Sequence, residues 1–157
     1  SEMSANGFKS VVDIDLIGTF NVLRAAHAHL RKPGAAVINI SAPQASSPYP
    51  GQAHVSAAKA GINLLTQSLA VEWGGDGIRV NAISPGPVSG TEGMARLAPD
   101  QAAVERLCAA IPAGRFGEMD EIASLALFLC SEAAAYITGA IIPCDGGLAL
   151  MGAGGWK

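Results

Sequence analysis

Three short runs decide what this chain can fold into: residues 35–40 (AAVINI), 78–83 (IRVNAI) and 140–144 (AIIPC). Each is rich in Ile, Val or Ala and too short for a stable helix. Each is followed by Ser, Pro or Gly within three residues, the pattern of a buried strand. Long stretches separate the runs. Hairpin strands need only a few residues between them, whereas strands parted by a helix-length stretch pair in parallel through a crossover. Runs this apolar belong in a sheet covered on both faces. The chain is therefore predicted to be α/β, with a Rossmann-like, doubly wound parallel sheet.

The intervening stretches carry helical periodicity. Val11, Ile14, Ile17, Phe20, Leu23 and Ala26 recur at three-residue steps before Leu30, so residues 8–31 are predicted as one long helix. Lys32-Pro33-Gly34 stops it. Residues 54–73, with Ala57, Leu64, Leu65, Leu69 and Val71, form a second helix that ends at Gly74-Gly75-Asp76-Gly77. Residues 94–110 hold one or two short helices, and residues 119–131 another. No repeat or linker divides residues 1–157, which read as part of a single domain.

One element of such a fold is missing. No strand is followed by a Gly-x-Gly turn that opens a helix, the feature that cradles phosphates. Either the chain is a fragment, the C-terminal part of a Rossmann-like domain without the N-terminal half that bears the glycine-rich loop, or another chain supplies that half.

Composition narrows the partners. Half the residues are hydrophobic, 15% are charged and the mean hydropathy is +0.33, which suits strands buried on both faces or extra surface buried against other chains. A net charge of −3 with scattered basic residues argues against nucleic acid. No run is long enough to span a bilayer, and residues 1–8 do not resemble a secretory signal. The C-terminal Gly-Gly-Trp-Lys is not a peroxisomal or ER-retention address, and a cytoplasmic location is expected. Cys108, Cys130 and Cys144 have no metal-ligand spacing and read as reduced thiols used as small hydrophobes, with no metal implied.

Several motifs occur in a telling order: Asp15-Leu16-Ile17-Gly18-Thr19-Phe20, Val37-Ile38-Asn39-Ile40-Ser41, Ser56-Ala57-Ala58-Lys59-Ala60-Gly61, Ile78-Arg79-Val80-Asn81, Ser84-Pro85-Gly86, and Ile137-Thr138-Gly139 through Asp145-Gly146-Gly147. Together they resemble the short-chain dehydrogenase/reductase family over nearly the whole chain. The resemblance implies a nicotinamide cofactor and a lysine, here Lys59, that holds its ribose.

Two positions depart from that family. Its catalytic Tyr, four residues before the Lys, is Val55 here, and its Ser falls on Ala42. Valine cannot give or take a proton. Tyr49 is close in sequence but out of register, in a Pro-flanked loop. A third departure, Asp15 in place of the usual Asn, makes the chain similar to the peroxisomal-type 2,4-dienoyl-CoA reductases. His54, Leu69-Ala70-Val71-Glu72-Trp73-Gly74 and Pro85-Gly86-Pro87-Val88-Ser89-Gly90-Thr91-Glu92-Gly93-Met94 extend that similarity. The mitochondrial type carries a Tyr near the point where Gln44 stands, and fits less well.

The resemblance implies NADPH, with NADH as the other possibility, and an acyl-CoA substrate. It implies Asp15 and Lys59 as the catalytic pair, and Lys59, Pro85, Gly86, Val88, Ser89 and Thr91 around the cofactor. Ser41 either contacts substrate or is a hydrogen-bonded loop serine. His54 either lines the acyl pocket or caps its helix. The two long helices are expected to form a homodimer or homotetramer contact, with His27 and His29 on the surface or in that interface. Two rival readings stay open: a reductase of this fold acting on another carbonyl or conjugated compound, and a non-catalytic nucleotide-binding or oligomerisation module.

Overall fold

The computed structural model describes residues 3–151. Its sheet has three parallel strands in the order β1 (Ala36–Ile40), β2 (Arg79–Pro85), β3 (Ile141–Cys144). In register, Val37 lies opposite Val80, and Ala82 opposite Ile141. The strand order is sequential, as in one half of a doubly wound sheet.

Helix α3 (Ala53–Trp73) connects β1 to β2 and covers one face. It buries Ala58, Ile62, Thr66, Leu69, Ala70 and Trp73 along one stripe, and Leu69 and Trp73 pack with Val80, Ile78 and Leu23. After β2 come the short helices α4 (Glu92–Leu97) and α5 (Gln101–Ala110), then α6 (Met119–Cys130). Leu129 of α6 packs with Ile83, Ile38 and Ile142 on the opposite face. The alternation of side chains along a strand explains the division, since Val37 and Ile38 must point to different layers. Both crossovers step in the same direction while their helices lie on opposite faces. They therefore have opposite hands, and one of them is the rare left-handed kind.

Polar side chains buried in the strands tie these layers together. Asn39 Nδ2 donates to Thr66 Oγ1 at 2.9 Å, and that hydroxyl donates to Ile62 O at 2.8 Å. Asn81 holds the segment before β3 from both sides: its Nδ2 donates to Ile137 O at 2.9 Å and its Oδ1 accepts from Ala140 N at 3.0 Å. Arg79 donates to Leu129 O at 2.7 Å and Ser131 O at 3.3 Å, satisfying carbonyls at the end of α6.

The first helix differs from its expected form. The segment predicted as one helix is α1 (Ala5–Val11), a π turn (Val12–Ile17) and α2 (Gly18–Ala26), closed by a 3₁₀ turn at His27–His29. The π turn inserts an extra residue into the helical ladder, a distortion often found where a side chain must be re-aimed. Asp15 lies within it. The thiols also need correction. All three cysteines are free, but Cys130 is exposed rather than a core filler. No helix of the described residues is long and apolar enough to cross a membrane.

Candidate active site

Three elements converge at the carboxyl end of β1. Lys59, on the second turn of α3, extends to within 3.4 Å of Asp15 Oδ2 and donates to Ile40 O at 3.3 Å. The Lys59 side chain is 18% exposed and that of Asp15 28%. The pair is shielded enough to interact more strongly than a surface pair, yet open enough to reach a ligand. Thr19 Oγ1 donates to Asp15 O at 2.6 Å and braces the π turn from below. Val55 lies half-buried one helical turn ahead of Lys59, with an apolar side chain where a proton donor would stand in related folds.

The loop after β2 forms the next wall. Gly86 N donates to Cys144 O at 3.0 Å, and a Cβ on Gly86 would lie 2.7 Å from the Asp145 Cα, so only glycine fits there. Val88 pairs with Gly117 in an isolated parallel bridge, and Ser89 N donates to Gly117 O at 2.8 Å. Asp145 accepts from Gly147 N at 2.9 Å and Ala149 N at 2.8 Å, fixing the turn behind the loop. A cavity of about 570 Å³ opens beside this wall, lined by Ile40, Ser41, Pro85, Gly86, Val88 and Thr91 together with the apolar face of α6. A smaller chamber of about 170 Å³ lies nearby, with Ala42, Gln44, Tyr49, Gly86, Met94 and Leu148 among its walls.

The structure thus brings Asp15 and Lys59 together, and gathers Ser41, Pro85, Gly86, Val88 and Thr91 around one cavity. Ser89 stands apart from that cavity, and its Oγ donates to Glu118 Oε1 at 3.2 Å. Thr91 also caps α4: its hydroxyl donates to Val88 O at 2.9 Å and accepts from Met94 N. The hydrogen-bonded alternative for Ser41 does not hold. Its residue is 3% exposed, and among the described residues its Oγ has no hydrogen-bond partner. The capping alternative for His54 fails as well, because α3 has no side-chain cap and His54 Nδ1 is enclosed without a partner among the described residues. Tyr49 is buried in the wall of the smaller chamber.

Sequence reasoning missed two parts of the site. The anchor of Lys59 is a backbone carbonyl, which leaves no trace in residue type. The α6 wall, formed by Met119, Ile122 and Ala126, reads as ordinary core spacing.

Electrostatics are perturbed mainly at the rim. Arg115 donates to both carboxylate oxygens of Glu121, at 2.8 and 2.7 Å. With the Glu118 backbone N–H also donating to it, the Glu121 carboxyl is held at about 2. Burial pushes the Cys144 thiol up.

Comparison with known proteins agrees with this geometry. A family model described as Enoyl-(Acyl carrier protein) reductase matches residues 1–149. The chain is 44% identical over 146 residues to the peroxisomal 2,4-dienoyl-CoA reductase of Pongo abelii, covering 92% of this chain and 50% of that protein. It is 44% identical over 149 residues to a probable 2,4-dienoyl-CoA reductase of Bacillus subtilis, covering 93% and 59%. Among solved structures, a gluconate 5-dehydrogenase from Burkholderia cenocepacia, crystallised with NADP and tartrate, superposes with a TM-score of 0.88 at 32% identity, over 95% of this chain and 58% of that one. The chain spans about half the length of the curated relatives it matches. Motif order, parallel sheet and family match agree, and the chain belongs to the short-chain dehydrogenase/reductase family of oxidoreductases.

Proposed function

We propose that the protein containing this chain is an NADPH-dependent reductase of conjugated (2,4-di)enoyl-CoA thioesters, acting through Asp15 and Lys59. The observation that carries the reading is the 3.4 Å approach of Lys59 Nζ to Asp15 Oδ2, with Val55 in place of a proton-donating side chain. The names of the relatives support the substrate class. Residues 1–157 would be the C-terminal part of a single reductase domain.

This chemistry does not need a tyrosine. A conjugated thioester accepts hydride at its δ carbon, and the charge spreads to the thioester oxygen. A carbon, not a carbonyl oxygen, then takes the proton. The apolar slot beside Pro85, Gly86 and Val88 has the character that a flat nicotinamide ring requires, so the residues present fit the cofactor. When bound, reduced nicotinamide supplies the hydride. Lys59, anchored on Ile40 O, would hold the ribose hydroxyls and offset developing negative charge. Asp15 would orient a water that gives its proton to carbon, the hydroxide left behind taking a proton from the adjacent Lys59 ammonium, which solvent then restores. Ser41, with its enclosed hydroxyl, and His54 contact the acyl part. Val88 would hold the carboxamide through its backbone, and Ser89 and Thr91 would hold the phosphates.

Ile14, Val22, Leu64 and Val71 are all more than 60% exposed along the first helices and α3, which supports a homodimer or homotetramer. The cytoplasm is the proposed location, in a role in fatty acid metabolism. The relatives named peroxisomal make the peroxisome the rival, separable by fluorescence localisation of the complete protein.

The complete protein, given NADPH and 2,4-hexadienoyl-CoA, is expected to consume diene absorbance and NADPH together, with NADH run in parallel. Intact cofactor binding without turnover would reject the reading.

A further inference from the structure

The segments that carry Asp15 and Lys59 also touch beside the pair, through residues other than those two. Gly61 follows Lys59 by two positions on α3, and Leu16 directly follows Asp15 in the π turn. A Cβ on Gly61 would meet Leu16 Cδ2 at 2.7 Å, Cδ1 at 3.0 Å and Cγ at 3.4 Å. Apolar carbons rest at about 3.5–4.0 Å. The Leu16 side chain therefore occupies the space that any side chain at position 61 would claim. Both methyls lie inside that distance, so a Cβ at position 61 displaces the Leu16 side chain and presses on the turn that bears it.

We propose that Gly61 and Leu16 are a positioning pair that sets the distance between Asp15 and Lys59. The inference deepens the reading of those two residues as the catalytic pair and rests on it. Leu16 seats the π turn against α3, and Asp15 is carried on the same turn. At 3.4 Å the pair is already longer than a direct charge-assisted hydrogen bond, at about 2.7–2.9 Å. The geometry has little slack, and a small withdrawal of the turn parts the two groups. Neither Gly61 nor Leu16 reaches the reacting atoms; each acts through its neighbour.

The test uses the complete protein, with steady-state kinetics across the neutral pH range and crystal structures of each variant. Gly61→Ala is expected to lower kcat by about tenfold to a hundredfold, the scale of a sub-ångström to ångström misplacement. KM for the acyl-CoA changes much less, the pH profile of kcat shifts, and the Asp15–Lys59 separation lengthens in the crystal. Adding Leu16→Ala removes the branch carbon and both methyls and restores both rate and separation toward those of Leu16→Ala alone. If Gly61→Ala fails to fold, Leu16→Phe, pressing from the other side, is expected to lengthen the same distance. An unchanged separation overturns the inference, as does a double variant no better than the single one. A lowered melting temperature with an unmoved pH profile would assign Gly61 to packing alone and also overturn it. Should the unsubstituted protein leave dienoyl-CoA untouched, the proposed reaction fails, while the separations in the crystals still decide the role of Gly61.

Discussion

The proposed chemistry turns on a few side chains whose partners are unusual. Lys59 is held by a carboxylate and a strand-end carbonyl rather than by a tyrosine hydroxyl. Replacing either member of the pair removes a group that no neighbour duplicates. Asp15→Ala and Lys59→Ala are each expected to lower kcat of the complete protein by about a hundredfold or more, the range of a lost acid–base or electrostatic group. Tyr49→Phe is expected to leave kcat within about twofold, since no proton passes through its hydroxyl in this mechanism. A large loss at Tyr49, measured in the same diene assay, would move the acid to that residue. The Asp15–Lys59 pairing was legible because residue types in motif order marked both. The enclosed hydroxyl of Ser41 and the unused Nδ1 of His54 were not, because burial depends on what packs around them.

At the scale of elements, the strands were legible almost to the residue, since β-branched runs bounded by turns have few other uses. The predicted strands at 35–40, 78–83 and 140–144 became Ala36–Ile40, Arg79–Pro85 and Ile141–Cys144. The π turn was not legible. Val12–Ile17 keeps the apolar spacing of an ordinary helix, and the added residue shows only in the backbone. The turn into α6 is likewise built by charges rather than by apolar spacing. Arg115 grips Glu121 on the first turn of α6, and Glu121 completes a capping box with Glu118. With its carboxyl held at about 2 against an ordinary 4.5, Glu121 contributes stability that is full above about pH 4.5 and is lost as pH falls toward 2. Asp76, lowered by Lys32, titrates in the same direction. The melting temperature is therefore expected to fall between those pH values, and more shallowly in Arg115→Ala. Parallel melting curves for the two proteins would show a shared slope if the pair contributes nothing.

Over the whole molecule, low charge and high hydropathy pointed to further buried surface, and the structure locates an apolar face on its outside. Val71 is 84% exposed on the last turn of α3, and Leu64 lies one heptad before it at 65%. Val71→Glu combined with Leu64→Glu is expected to reduce the assembly of the complete protein, measured by light scattering. An unchanged mass would remove this face from the interface. What the sequence pattern could not supply was the arrangement of the layers, because handedness of a crossover depends on which face a helix covers, not on its composition.

The sheet order has a practical consequence. β1 is an outermost strand, and among the described residues nothing pairs with its outer side. That side offers a row of backbone donors and acceptors along Ala-Val-Ile-Asn-Ile, with no proline or charged residue to discourage a visitor. Expressed by itself, this stretch of polypeptide is a template for its own copies, and its handling will be governed by edge-to-edge stacking into insoluble material. A strand that pairs with that edge would act as a solubility device.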